Sequence, residues 1–334
     1  MTRTGVLLFT RDLRLHDHSA LAAAKRECRE VVPLFVLDDR LLSVSRRRTA
    51  LLLGRLDQLR DAIGLVVVEG DPVEEAARFA PDAVYMSEDV SAYAQGRERR
   101  LRERFELRTF SGITVVPPAE LAPAGRNHYR VFTPYWRAWR ARPLPAALTS
   151  GPRLREPDLP LSALLHLGIA SPAEVARGAD EELLRKLCWR DFFAQLLAAE
   201  PELEWRDMHP GRRRWRDDPE AVAAWKEGRT GVAFVDAAMR QLLAEGYMPN
   251  RQRMVAASFL TKELGIDWRV GAAHFMAHLV DGDVATNSGN WQWAAGTGAD
   301  TRPNRRFNPE RQARLHDPDG SYVERWLPER FANR

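Results

Sequence analysis

The sequence has little cysteine. Cys28 and Cys188 are the two cysteines in 334 residues. That excludes a disulfide framework, a four-cysteine zinc site and a cysteine-held iron–sulfur cluster. Both read as small buried residues. No apolar run reaches about 18 residues, so no membrane-spanning helix is expected. The opening Met1-Thr2-Arg3-Thr4-Gly5-Val6-Leu7-Leu8-Phe9 holds an apolar stretch too short for a secretory leader, and charge returns at Arg11 and Asp12. A cytoplasmic protein that meets no membrane is expected. A further absence is chemical: no Gly-rich phosphate loop of the G-x-G-x-x-G or G-x-x-x-x-G-K-[ST] kind follows the first apolar segment.

Hydrophobic residues make up 45% of the chain, enough for a large core and far from a disordered composition. The length allows two domains. Lys plus Arg is 50 against 46 Asp plus Glu, a net charge of +4, which permits nucleic-acid binding without requiring it. Tryptophan is more telling. There are ten, all from Trp136 onward. Indoles fill cores, and they also stack on bases and are redox-active.

Short apolar runs at residues 5–9, Val31–Leu37, Leu65–Val68, Ala83–Met86 and Ile113–Val116 alternate with helical patterns. The latter cover Ser19–Arg29, Thr49–Ile63, Pro72–Phe79 and Ala94–Phe105. This rhythm predicts βαβ units and a doubly wound parallel α/β domain over residues 1–125. Its first strand leads into Thr10-Arg11-Asp12-Leu13-Arg14-Leu15-His16-Asp17, a charged loop at the carboxyl edge, where such sheets place ligands. Residues 126–170 hold Pro134, Pro143, Pro145, Pro152, Pro157 and Pro160 and read as a connector poor in regular structure. Ser171-Pro172 is a plausible N-cap and first helical position. From there the pattern is helical almost to residue 280, over Ala173–Arg177, Asp180–Ala199, Pro219–Lys226, Val232–Glu245, Asn250–Leu264 and Val270–Val280. Residues 171–334 thus read as a helical domain, giving an α/β plus all-α fold class.

Several segments then matter together. They are Phe9 to Asp17 with Leu34-Phe35-Val36-Leu37-Asp38; Tyr129-Arg130-Val131-Phe132-Thr133-Pro134-Tyr135-Trp136; Trp189-Arg190-Asp191-Phe192-Phe193; and a long stretch from Trp225 to Pro309. The last includes Gly228-Arg229-Thr230-Gly231, Val235-Asp236-Ala237-Ala238-Met239-Arg240-Gln241-Leu242, Asn250-Arg251-Gln252-Arg253-Met254, Ala257-Ser258-Phe259-Leu260-Thr261-Lys262, Ile266-Asp267-Trp268-Arg269, Asp281-Gly282-Asp283, and Asn287 to Trp293. Each is weak alone. In this order, over nearly the whole chain, they resemble the DNA photolyase/cryptochrome family. The resemblance implies an N-terminal α/β domain of the antenna type and a C-terminal helical domain that cradles FAD. It also implies repair of cyclobutane pyrimidine dimers in ultraviolet-damaged DNA by an electron from excited, reduced, anionic FAD, in a monomer.

Carried onto this chain, the resemblance places Asn287 at the flavin N5, Asp281 and Asp283 beside the ring and ribose, and Arg253 near N5, paired with Asp281. Arg190 and Ser162 fall at further cofactor positions, and Asn250 lies between flavin and lesion. Trp215, Trp268 and Trp291 match an electron-relay triad. Trp189 and Trp293 match the aromatic walls of a pocket for a flipped-out lesion, and Met254 matches its floor. Arg251, with Arg212, Arg213, Arg214, Arg302, Arg305 and Arg306, is a candidate phosphate contact.

The chain departs from the family pattern in several places. Lys186, one turn before Trp189, stands where cyclobutane-dimer enzymes carry Glu; a Lys can donate to a pyrimidine carbonyl. Tyr247 and Pro249 replace the usual Trp and His, which weakens a (6-4) photolyase reading, since those enzymes use histidine there. The usual Thr-Ser-x-Leu-Ser is Asp158-Leu159-Pro160-Leu161-Ser162, and the helical segment before it is largely missing. The chain ends soon after Trp326-Leu327-Pro328-Glu329, without the family's further stretch. A cryptochrome-like blue-light sensor is the alternative from another class. Asn287, where many plant cryptochromes have Asp, favours repair. Glu88, Asp89 and Tyr93 lie where some relatives bind a folate or deazaflavin, and the antenna pigment stays open.

Overall fold

The computed structural model describes residues 3–211 and 214–331, in two compact units, Met1–Glu204 and Trp205–Arg334. The first is built on five parallel strands, β1 (Thr4–Leu8), β2 (Glu30–Leu37), β3 (Val66–Glu69), β4 (Ala83–Ser87) and β5 (Leu107–Phe110). Their order is β3-β2-β1-β4-β5. Helices α1 (Ser19–Glu27), α2 (Asp39–Val44), α3 (Arg46–Ile63), α4 (Pro72–Ala77) and α5 (Ala92–Arg104) connect them. The direction of winding reverses between β1 and β4, so the loop after β1 opens at the switch point.

Strand β1 shows why the sheet is covered on both sides. Leu7 packs with Leu21 of α1 and Leu56 and Leu59 of α3. Val6 and Leu8, one pleat over, pack with Val73 of α4 and Leu101 of α5. A strand apolar at every position can only be buried on two faces. His18, Asp71 and Ser91 cap the helices that follow, each side chain accepting a first-turn N–H.

Two sequence expectations need correction here. Ile113–Val116 is not a strand. The fifth strand is Leu107–Phe110, half-buried along its length, whereas Ile113–Val116 is a buried loop in which a side chain satisfies the amides of Val115 and Val116. The connector is also more regular than its prolines suggest. It contains α6 (Phe132–Arg140) and α7 (Leu161–His166). Phe132, Tyr135 and Trp139 recur on one face of α6 and are buried, and Pro134 falls in its first turn, where no N–H partner is needed. After α8 (Pro172–Arg177), the long α9 (Glu181–Ala199), capped by Asp180, completes this unit.

The second unit is helical among its described residues. It comprises α10 (Pro219–Lys226), α11 (Ala233–Glu245), α12 (Asn250–Ser258), α13 (Trp268–His278), α14 (Val284–Ala295), α15 (Pro309–His316) and α16 (Ser321–Trp326). Helix α12 runs on into a π turn at Phe259–Glu263. The sequence pattern stopped near residue 280, but α14 follows, capped by Asp283. Its Trp291 lies against α13 at Gly271, where an added Cβ would stand 2.1 Å from the indole. Asp236 accepts from Thr230 N–H at 2.7 Å and Gly231 N–H at 2.9 Å, closing the turn before α11. No helix among the described residues is long and apolar enough to cross a membrane.

Candidate cofactor and nucleic-acid site

In the first unit the loop after β1 is a lock. Asp12 and His18 are fully buried, with Nε2 of His18 3.1 Å from the Asp12 carboxylate. Burial pushes the Asp12 carboxyl up, but His18 and hydrogen bonds from His18, Ser87 and Thr10 outweigh it and hold the group below the usual carboxylate range. Arg14 donates to the carbonyls of Asp17, Gly112 and Gly168. Asp12 and His18 thus pair within the loop, and Arg14 ties it to the backbone at Gly112 and Gly168.

Helix α9 carries the other candidates of this unit. Arg190 donates to the carbonyls of Ile113 and Leu165. Trp189 stacks on Phe132 with centroids 3.6 Å apart and planes 3° apart, with Phe192 edge-on beside it. Lys186 is exposed and pairs with Glu182 at 2.7 Å. Ser162 is exposed at the start of α7. Glu88 and Asp89 line a cavity of about 360 Å³ together with Gln95, Glu98, Thr114 and Gln195. The Tyr93 ring is covered by the guanidinium groups of Arg40 and Arg97, and its hydroxyl donates to Asp38.

In the second unit Arg253 is fixed twice. It donates to Met248 O at 2.8 Å and to the Asp281 carboxylate at 2.9 Å. Asp283 accepts from Thr286 N–H and Oγ1–H, so it holds the start of α14. One turn in, Asn287 donates its amide N–H to Ala272 O at 3.0 Å, which leaves its amide oxygen as an acceptor. One turn further, on the same face, Trp291 is buried and its Nε1–H finds no hydrogen-bond partner among the described residues. A fixed cation, an oriented amide acceptor and an orphaned buried N–H fit an anionic flavin: charge for charge, an acceptor for N5–H, and a dry aromatic neighbour.

Trp268 and Trp291 belong to one buried core, and Trp215 packs against it. Trp268 donates to Asp207 at 2.8 Å. Trp291 touches Phe275 at 4.9 Å and Trp225 at 5.9 Å between centroids. On this unit, too, Trp293 lies 6.0 Å from Phe307; Arg305 covers the first ring at 5.1 Å and Arg251 the second at 5.9 Å. Met254 is buried, whereas Asn250, at the start of α12, is exposed. Arg214 and Arg302 are exposed, and Arg306 pairs with Glu263 at 3.2 Å. Arg212 and Arg213 lie outside the described residues. Arginine interleaved with aromatic rings is the chemistry that grips a nucleic-acid strand.

Four residues to which the sequence assigns no individual role stand out: Phe132, Asp191 and Trp225, which lie within the motifs, and Asp207, which lies in none of them. Asp191 had a readable signal, an acid set among Cys188, Phe192 and Phe193 on a helix face that must be buried. Asp207 had none.

A family model described as the FAD binding domain of DNA photolyase matches residues 183–332, and one described as DNA photolyase matches residues 5–155. A Streptomyces griseus deoxyribodipyrimidine photo-lyase is 40% identical over 406 aligned positions, covering 97% of this chain and 89% of the relative. That span exceeds the 334 residues of the chain, so the relative carries internal stretches that this chain lacks. An archaeal photolyase from Sulfolobus tokodaii, solved with two FAD molecules, superposes with a TM-score of 0.88 at 29% identity, over 97% of this chain and 90% of that one. A Synechocystis cryptochrome superposes with a TM-score of 0.85 at 25% identity, over 98% and 89%.

Proposed function

The chain belongs to the DNA photolyase family, and we propose that within it the protein is a light-driven repair enzyme for cyclobutane pyrimidine dimers. It is a photolyase with an FAD-binding domain. When bound, reduced anionic FAD would supply the absorption of blue or near-ultraviolet light and the single electron that cleavage of a cyclobutane ring needs. The observation that carries the reading is Asn287. Its amide is turned by Ala272 O so that an oxygen remains to accept, which suits the N5–H of a reduced flavin and not the bare N5 of an oxidised one.

The remaining residues then have definite tasks. Arg253, held by Asp281 and Met248, places a positive charge that favours the anionic ring. Asp283, which caps α14, would face the ribose of the bound cofactor. Trp291, Trp268 and Trp215 carry oxidising equivalents outward when the flavin must first be reduced. In the second unit Trp293, Met254 and Asn250 bound the flipped-out dimer; in the first, Trp189 offers a stacked aromatic face and Lys186, paired with Glu182, a cation. Arg251 and its basic neighbours hold phosphates of ultraviolet-damaged DNA. The functional division follows residues 1–125, a connector at 126–170 and the helical part at 171–334. The protein acts as a cytoplasmic monomer.

The Asn287→Asp variant tests this. Its reduced flavin should reoxidise in air at least about tenfold faster, because a carboxylate repels the anionic ring. Equal stability removes Asn287 from the role. A second reading, blue-light sensing, is favoured by Lys186 in place of Glu and by the likeness to the cryptochrome; it predicts a photocycle with no repair of either dimer or (6-4) lesion.

A further inference from the structure

We infer that Tyr247 is a positioning residue for Arg253: its ring seats one face of the guanidinium and so sets how strongly the site prefers the reduced, anionic flavin over the oxidised one. This rests on the reading of Arg253 above and goes beyond it, because it gives a role to the turn before α12, where Tyr247 and Pro249 depart from the family pattern.

Helix α11 ends at Glu245 and α12 begins at Asn250, so Gly246-Tyr247-Met248-Pro249 makes the turn between them. Each of the last three residues bears on Arg253, one turn into α12. Tyr247 lies against the guanidinium, whose Cζ stands 5.2 Å from the ring centroid. Met248 O accepts from Nε at 2.8 Å. Pro249 O accepts from the Arg253 backbone N–H at 3.2 Å. A proline also restricts the residue before it to extended backbone, which presets the direction of the Met248 carbonyl.

The ring contact does what the hydrogen bonds cannot. A guanidinium is planar, and its N–H groups lie in that plane. Arg253 donates through Nε to Met248 O and through Nη2 to the Asp281 carboxylate at 2.9 Å. Two in-plane bonds leave the group free to tilt about the line that joins them, like a panel on two hinges. An aromatic ring against one face stops the tilt and attracts the cation. The Asp281 side chain is 3% exposed and that of Arg253 21%, so water screens this attraction little.

The supports of Arg253 are also joined to one another. Val280 N–H donates to Gly246 O at 2.8 Å, so the segment that carries Asp281 is tied to the turn that carries Tyr247. A cation fixed in advance needs no reorientation when negative charge develops beside it. The reduced, anionic flavin carries a charge that the oxidised flavin lacks. Holding Arg253 still therefore favours the first over the second.

The test uses FAD-loaded protein as the parent, Tyr247→Leu, Tyr247→Phe, Tyr247→Trp and Arg253→Met. Potentiometric titration of the bound flavin reads the preference of the site for reduced over oxidised FAD. Tyr247→Leu should lose at least about threefold of that preference, the low end of a partly desolvated contact between a cation and a ring. Tyr247→Phe, which keeps the ring, should stay within about twofold of the parent. A parent-like preference in Tyr247→Leu overturns the inference, and so does a Tyr247→Phe as weak as Tyr247→Leu. A parent-like preference in Arg253→Met instead overturns the reading of Arg253 beneath it. Should Tyr247→Leu not fold, the aromatic variants decide: Tyr247→Trp should exceed Tyr247→Phe, because an indole draws a cation more strongly, and equality overturns the inference.

Discussion

The indole Nε1–H of Trp139 donates to the carboxylate of Asp191 at 2.9 Å, and both side chains are shut off from solvent. The same oxygen accepts the amides of Val115 at 3.0 Å and Val116 at 2.9 Å. One carboxylate thereby ties α6, α9 and the loop before the connector. Asp191→Ala leaves three buried donors without an acceptor and should lower unfolding stability by roughly 3 kcal/mol or more. Asp191→Asn keeps an acceptor and should stay within about 1 kcal/mol of the parent. Denaturant titration checks both.

The same carboxyl sets a pH signature. Burial pushes it up to about 6 from 3.8, against the lowering effect of the Val116 amide, Arg190 and Trp139. A raised folded value means its contribution is full below 3.8 and is lost as pH rises through about 6. His274 has the opposite sign. Burial, His278 and Lys226 push it down to about 4 from 6.5, so its contribution is present above 6.5 and lost as pH falls through about 4. In thermal melts Asp191→Asn should lack the loss on going from pH 4 to 6. His274→Gln should lack the loss on going from 6.5 to 4.

Gly271→Ala should disturb the relay. Its Cβ would stand 2.1 Å from Trp291 Cη2 and 2.7 Å from Leu260 Cδ2, so the indole must move. A cost of about 1–3 kcal/mol is expected, together with a slower photoreduction of bound FAD. Unchanged melting and unchanged photoreduction would place Trp291 elsewhere.

Removing Arg251 or Arg305 should weaken DNA binding with little regard to base sequence. If each neutralises one phosphate, the slope of log affinity against log salt should fall by about 1 for each Arg→Ala change. A change in lesion preference at constant salt slope would speak against a phosphate role.

Much of this was legible in the chain, and the exceptions have physical causes. Strands such as Val31–Leu37 announce themselves because a sheet covered on both faces needs continuous apolar runs. Leu107–Phe110 hid because Arg108 and Thr109 interrupt the apolar run on a half-buried edge. Ile113–Val116 misled because burial, which made it apolar, is served there by Asp191 and not by a ladder. The Arg253–Asp281 pair was implied by the family resemblance, and the structure shows it at 2.9 Å. Several other motif residues prove to be structural pins: Asp236 closes a turn, and Lys262 donates to Ala295 O and Pro303 O. The contact of Trp268 with Asp207 joins residues 61 apart in the chain, and no local pattern encodes it.

The most direct test of the account is repair of a defined cyclobutane thymine dimer under blue light, with the flavin reduced beforehand and a matched sample kept dark. The account predicts restored thymine in the light and none in the dark. An intact dimer in protein that carries its full complement of reduced FAD would contradict it.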